Sequence, residues 1–267
     1  MKKLNLLTFL SIFEAGMFSN SASAQAEDFP RMGEIIVKSP GAGRFLDAPG
    51  VEAMVITAEE IGRMQAGSLP ELLNSISSIH LTERGAAGSQ ADISIRGSSI
   101  EGVLLLINGV RAQDPQTGHF LLDIPLGLES VERIEILAGG GSTLYGSTAS
   151  GGIVNIVTRE KGFSKVGLAI GSFGGKKGSA GISGKSGKVK MTAGAQWERS
   201  DGHSPGTDLQ TEGIDGSGSW RSGRWHIRWN AGMMQRHFGA RGFYGSYPSF
   251  EEVTAVQAGV NGLCVLN

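Results

Sequence analysis

Apolar and polar positions follow two regimes along the chain. Up to about residue 160 the apolar runs are short and of mixed period; beyond about residue 164 they alternate one-for-one with polar residues. In the first regime Ala53-Met54-Val55-Ile56 suits a strand, and Thr57 with Glu60 forms a capping box for a helix through Met64. Ser68, Pro70 and Glu71 start a second helix that carries Leu72, Leu73 and Ile76. Ile79 to Leu81 is a strand, Arg84 to Ala91 a small-residue loop, and Ile93 and Ile95 alternate with polar neighbours as in a half-buried strand. Val103 to Ile107 is apolar throughout, which predicts the central buried strand, and Asn108-Gly109 is a tight-turn signal. Gln113 to Phe120 reads as a polar loop, Leu128 to Arg133 as a short helix, Ile134 to Leu137 as a strand, Gly139 to Gly141 as a turn and Ile153 to Val157 as the last strand. Helices and strands mixed in this order predict a small α/β domain ending near Arg159.

In the second regime Val189, Met191, Ala193, Ala195 and Trp197 share one face, opposite Lys188, Lys190, Thr192, Gln196 and Glu198. Trp225, Ile227, Trp229, Ala231 and Met233 likewise oppose Arg224, His226, Arg228 and Asn230. Weaker versions occupy Ser164 to Gly171, Lys176 to Gly184 and Thr211 to Arg221, with short turns at Ser186-Gly187 and Ser222-Gly223 and long loops at Asp201 to Gln210 and His237 to Phe250. Strands of about ten residues with short and long connections in alternation suit a transmembrane barrel wall. A soluble sheet packed on the first domain is the alternative, since one-sided soluble sheets alternate too. Trp197, Trp220, Phe243, Tyr244 and Tyr247 are candidates for an aromatic girdle. Residues 164–267 leave room for about five such strands, whereas a closed single-chain barrel takes at least about eight, and the alternation fades from Ala258 onward. The chain therefore reads as truncated, with a shifted reading frame as one origin, and as transporting nothing by itself.

Ahead of the first regime, Lys2-Lys3, the apolar Leu4 to Phe18 and the small residues Ala22 to Ala26 form a secretory signal over residues 1–26. Residues 27–50, with Pro30, Pro40 and Pro49, read as an extended tail. Its run Glu34-Ile35-Ile36-Val37 is either a strand for adding to another protein's sheet or a first strand of this fold. A net charge of −1 gives no bulk attraction to nucleic acid, and Cys264 is the only cysteine, so no internal disulfide forms. No Cys/His cluster has zinc spacing, and no cofactor is indicated. Gly141 to Thr148 lacks the lysine of a phosphate loop, and Gly202-His203-Ser204-Pro205-Gly206 lacks the strand-turn-helix setting of a nucleophile elbow. Neither points to an enzyme.

Ile95-Arg96-Gly97, the run Leu104 to Arg111, Ile134-Glu135-Ile136-Leu137, Leu144-Tyr145-Gly146-Ser147 and Gly151 to Thr158 together resemble the plug and first barrel strands of a TonB-dependent outer-membrane receptor. Within that family the Asp114 to His119 loop is similar to cobalamin-type uptake receptors. The resemblance implies an α+β plug domain, a small mixed sheet with short helices over residues 51–160. Antiparallel β-strands of an incomplete transmembrane β-barrel follow at 164–267. It implies residence in the outer membrane, among its lipids, and uptake of a scarce ligand such as an iron-siderophore, another metal chelate or cobalamin. Glu34, Ile35, Ile36 and Val37 become the TonB box, the strand that pairs with a TonB-type periplasmic energy-transducing protein. Ligand contacts fall on the outer plug loops, at Arg84, Ser89, Gln90, Arg111, Gln113, Asp114, Gln116 and His119. Where the family has Arg-Gly-Pro this chain has Ala138-Gly139-Gly140, which leaves Arg96 as the plug arginine able to meet barrel carboxylates. Asn108 stands where the family has Asp, and both serve the turn.

Overall fold

A computed structural model describes residues 52–264 except 86–87, 114–116, 140, 161, 244 and 246, and at 143–144 it describes the backbone alone. Thr57 caps the helix Ala58–Met64: its side chain accepts from the Glu60 N–H while the Glu60 carboxylate accepts from the Thr57 N–H. That exchange satisfies two backbone donors the helix itself leaves open. Ser68 caps Leu69–Asn74 by accepting from the Glu71 N–H, the Glu71 carboxylate accepts from the Gly67 N–H rather than from the cap residue, and Leu69, Leu72 and Leu73 are buried. Ser75 ends this helix one residue short of the apolar position at Ile76.

The first sheet orders β1 (Glu52–Thr57), β6 (Val131–Ala138), β7 (Gly152–Thr158), β4 (Val103–Ile107) and β5 (Val110–Arg111) side by side. Only β4 and β7 are parallel among these pairs. A separate hairpin joins β2 (Ile79–Glu83) to β3 (Ala91–Ile95). Leu105, Ile107, Ile134, Ile136 and Ile156 form one core with the two helices and the hairpin, while Leu104, Leu106, Leu137 and Ile153 form a second on the other face. All five residues of β4 are buried because both faces are covered. β7, not β4, is the central strand, since β4 has only the two-residue β5 beyond it. The helical turn is limited to Leu128–Ser130, and β6 begins at Val131, which pairs with Thr158 of β7.

Six strands follow in sequential antiparallel order: β8 (Phe163–Ile170), β9 (Lys176–Ser186), β10 (Val189–Ser200), β11 (Leu209–Ser222), β12 (Trp225–Gly239) and β13 (Phe250–Cys264). This is one strand more than the apolar pattern predicts. β13 pairs with β12 over its whole length, from Phe250 opposite Gly239 to Cys264 opposite Trp225. Gly259 and Gly262 blur the hydropathy contrast there without interrupting the backbone ladder. Among the described residues no helix is long and apolar enough to cross a membrane, which leaves strands open.

Candidate functional site

The six-stranded sheet is built inside out relative to a soluble sheet. Its covered face carries Lys190, Thr192, Asp215, Ser217, Arg228, Asn230 and Arg236, of which Thr192, Asp215, Ser217, Asn230 and Arg236 are buried. Its bare face carries Val166, Leu168 and Ile170 at 71%, 86% and 89% exposure, together with Met191, Trp197, Trp225, Val256 and Val260. Polar inside and apolar outside is the arrangement a lipid-facing wall requires.

On the covered face Lys165, Gly181, Gly194, Asp215, Gly232 and Gln257 stand directly opposite one another in a single row across all six strands. Residues 125–130 of the N-terminal region lie along that row. A Cβ at Gly232 would stand 2.5 Å from the Pro125 carbonyl oxygen, and one at Gly194 2.4 Å from the Ser130 Oγ. The Gly127 N–H donates to Asp215 Oδ1 at 3.1 Å, and the Glu129 carboxylate meets Lys165 Nζ at 2.8 Å. Glycine in the row lets backbone approach backbone, and the charged members fix the register.

At the long-loop end Arg236 of β12 reaches inward. Its Nη1 lies 2.6 Å from Asp123 Oδ1 and donates to the Ser89 carbonyl at 2.9 Å. The side chains of both partners are about nine-tenths buried, at 11% and 8% exposure. Beside this pair Asp92 bridges two of the predicted ligand residues. Its Oδ1 lies 2.7 Å from His119 Nδ1 and its Oδ2 3.2 Å from Arg84 Nε, while Gln90 Nε2 donates to the His119 carbonyl at 3.2 Å. Arg84 and His119 thus form a partly exposed pair over buried Gln90, and buried Ser89 joins them through its backbone.

The other predicted positions lie elsewhere. Arg111 is tied to the Tyr145 carbonyl at 2.7 Å and to Thr148 Oγ1 at 3.2 Å. Gln113 lines a cleft of about 410 Å³ between Phe120, Ile124 and β13. Asp114, Gln116 and the run Glu34 to Val37 fall outside the described residues. Arg96 is exposed on the turn after β3, at φ 51°. Phe243 is not a girdle residue: it packs against Leu209 and Phe238, and a Cβ at Gly85 would stand 2.4 Å from its ring. Tyr244 is outside the described residues. Asn108 does more than turn the chain. Its Oδ1 accepts from the Thr158 N–H at 3.0 Å while its Nδ2 donates to Thr158 Oγ1 at 2.8 Å, a donation an aspartate could not make. Ser204 sits in the loop between β10 and β11, where its N–H donates to Thr207 Oγ1 at 3.1 Å.

Sequence reading missed Asp92, Asp123, Asp215 and Arg236. The available signal was positional: Arg236 is on the same alternation as Arg228 and Asn230, the polar face of β12.

Glu160, between β7 and β8, ties the two parts at the short-turn end, 3.1 Å from Lys190 Nζ and 3.5 Å from Arg228 Nε. Burial, the largest single influence, pushes its carboxyl up. The Lys190 hydrogen bond and the charges of Arg228 and Lys190 together outweigh it, so the group titrates below the ordinary glutamate range. A carboxyl lowered on folding contributes stability above its unfolded value, and that contribution is lost as pH falls through the folded one. Urea unfolding of the chain in detergent micelles should therefore show Glu160→Gln less stable than the parent at pH 7, with the gap closing below about pH 4. A pH-independent gap would rule the linkage out.

The TonB-dependent Receptor Plug Domain family matches residues 48–153. Residues 48–153 thus match the plug of TonB-dependent receptors, and the six antiparallel strands that follow form a sheet like part of a barrel wall, left unclosed. It is 36% identical over 107 residues to the vitamin B12 transporter BtuB of Vibrio cholerae, covering 40% of this chain and 17% of that protein. To the BtuB of Vibrio vulnificus it is 32% identical over 155 residues, 57% of this chain and 25% of that protein. The fold resembles the siderophore receptor PirA from Pseudomonas aeruginosa, with a TM-score of 0.57 at 21% identity over 80% of this chain and 37% of PirA. It also resembles the ferric yersiniabactin uptake receptor FyuA from Yersinia pestis, with a TM-score of 0.57 at 20% identity over 71% of this chain and 32% of FyuA. The chain thus spans about a sixth to a quarter of the length of these curated relatives.

Proposed function

We propose that this chain forms the plug and first wall strands of an outer-membrane receptor that takes up a scarce chelate, of the siderophore or cobalamin kind, with energy from a TonB-type periplasmic protein. The observation that carries the reading is the inside-out wall: buried charged and polar residues grip the plug while valine, leucine, isoleucine and tryptophan face outward. The same pattern disfavours a soluble binding domain, whose bare face would be polar. Residues 1–26 export the chain, residues 27–50 form the tail, 51–160 the plug and 164–267 the wall. Long loops face the exterior and short turns the periplasm. Arg84 and His119, braced by Asp92, offer ligand a guanidinium and an imidazole at the outer end, and the buried Gln90 amide supports the His119 backbone behind them. Ser89, Gln113, Asp114 and Gln116 extend that surface, Arg111 adds a separate contact beside residues 145–148, and Arg96 contributes to the contact between plug and wall.

Glu34 to Val37 supplies the strand that pairs with the energy-transducing partner. In the receptor that carries this chain, Ile36→Pro should abolish energised uptake and leave ligand binding intact, because proline removes a ladder donor. Uptake at the parental rate would remove the TonB-box assignment. A chain that salt washes off the membrane fraction would remove the uptake reading altogether.

A further inference from the structure

The short-turn end of the wall concentrates positive charge on two neighbouring turns. Lys188 lies in the turn between β9 and β10, Arg224 in the turn between β11 and β12, and both are exposed. A backbone bond from the Arg221 N–H to the Lys188 carbonyl, at 3.4 Å, joins the two turns. Lys185, Lys190, Arg221 and Arg228 occupy the adjoining strand ends, with Lys185 directly opposite Lys190 and Arg221 directly opposite His226. Like charges in facing positions repel. Neither 184–190 nor 219–228 contains an acidic residue. Glu160, the carboxylate that reaches this end, is engaged on the inner face by Lys190 and Arg228.

The outer face of the same rim is aromatic. Trp220 stands opposite Val189, and Trp225 opposite Ser222, whose Oγ accepts from Lys188 Nζ at 2.8 Å. That bond draws the Lys188 ammonium to the outward side, beside Trp225, which is 49% exposed. The Trp229 indole covers Gly218 one pair further in, where a Cβ would stand 2.4 Å from its ring. Indoles that bury a ring and keep an N–H wet settle at the level of lipid headgroups. Cations beside them at that depth meet lipid phosphates.

Building on the membrane-wall reading above, we infer that Lys188 and Arg224, flanked by Trp220 and Trp225, bind the phosphate groups of anionic phospholipids in the leaflet at the short-turn end. The ligand is a lipid rather than an acidic protein, because the cations sit next to the apolar band that lipid covers. Lys188 and Arg224 extend past the strand ends, so each adds its attraction without burial.

The test uses the full chain reconstituted in bilayers, carrying Trp197→Phe so that the remaining three of its four tryptophans report on the short-turn half. Quenching by brominated phosphatidylglycerol is compared with quenching by brominated phosphatidylcholine. The expected result is a preference for the anionic lipid of about five-fold for each cation, falling with salt. Lys188→Gln with Arg224→Gln should abolish the preference and leave quenching by phosphatidylcholine unchanged, which also shows the variant still embedded. Equal quenching by both lipids in the parent, or a preference that survives the double substitution, overturns the inference. So does saturable capture of a poly-glutamate peptide without lipid preference, which would assign the rim to an acidic protein. Quenching by neither lipid would fell the membrane-wall reading, and the lipid site with it.

Discussion

Arg236→Met should destabilise the chain by about 3–5 kcal/mol, because it removes the cation 2.6 Å from the buried Asp123 carboxylate. It also strips the Ser89 carbonyl of a donor held at 2.9 Å, and so slackens the loop that carries Gln90 and the His119 contact. The measurement is urea unfolding in detergent micelles followed by tryptophan fluorescence. Asp123→Asn combined with Arg236→Met should cost less than Arg236→Met alone, since the second change removes the buried charge. If the double variant is no more stable than the single one, the buried carboxylate is not what makes the substitution costly. The pair is 2.6 Å long and joins residues 113 positions apart, so its loss should also accelerate proteolysis of the plug loops.

Gly232→Val is the second large effect. A Cβ at this position would stand 2.5 Å from the Pro125 carbonyl and 3.0 Å from the proline ring, so residues 125–130 must lift from the row they occupy. Forcing extra methyl groups into such a contact costs about 1–3 kcal/mol. The lift would also lengthen the bond from the Gly127 N–H to Asp215, and amide exchange at Gly127 should quicken in parallel. Gly262→Val is the control. It changes the same residue type on the neighbouring strand, but nothing lies within 4 Å of its added Cβ, and its stability should match the parent. Equal losses at the two positions would mean that strand propensity, not docking against the plug, decides the outcome.

Local features of the fold were legible because they are satisfied locally. Thr57 and Glu60 are three residues apart and cap their helix as the capping-box pattern requires. Asn108-Gly109 turns the chain with both residues at positive φ, 52° and 81°. The alternation of Trp225, Ile227 and Trp229 against His226, Arg228 and Asn230 separates the two faces of β12 without reference to any long-range contact. Errors arose where local and tertiary preferences diverge. The 128–133 segment has a helical spacing, yet Val131 is taken into β6 by the sheet beside it. The end of β13 has little hydropathy contrast, yet pairing with β12 carries it on to Cys264.

The site was legible only in part. The polar loops held Arg84, Gln90 and His119, but nothing in their composition pointed to Asp92, which binds two of them. Arg111 was grouped with these residues on loop position alone, and the fold ties it to residues 145–148 instead.

The amino-acid sequence by itself determined the two regimes, the helix caps, the tight turn and the two-faced alternation of the wall strands, because each depends on neighbours a few residues away. Tertiary structure alone decided which inward residues meet. Gly181, Gly194, Asp215 and Gly232 form a row only once four strands take one register. Gly127 finds Asp215 across 88 residues, and Arg236 finds Ser89 across 147. Period two says which side of a strand a residue faces. It carries no information about the residue on another element that will stand opposite, and in this protein those long-range pairings hold the plug in the wall.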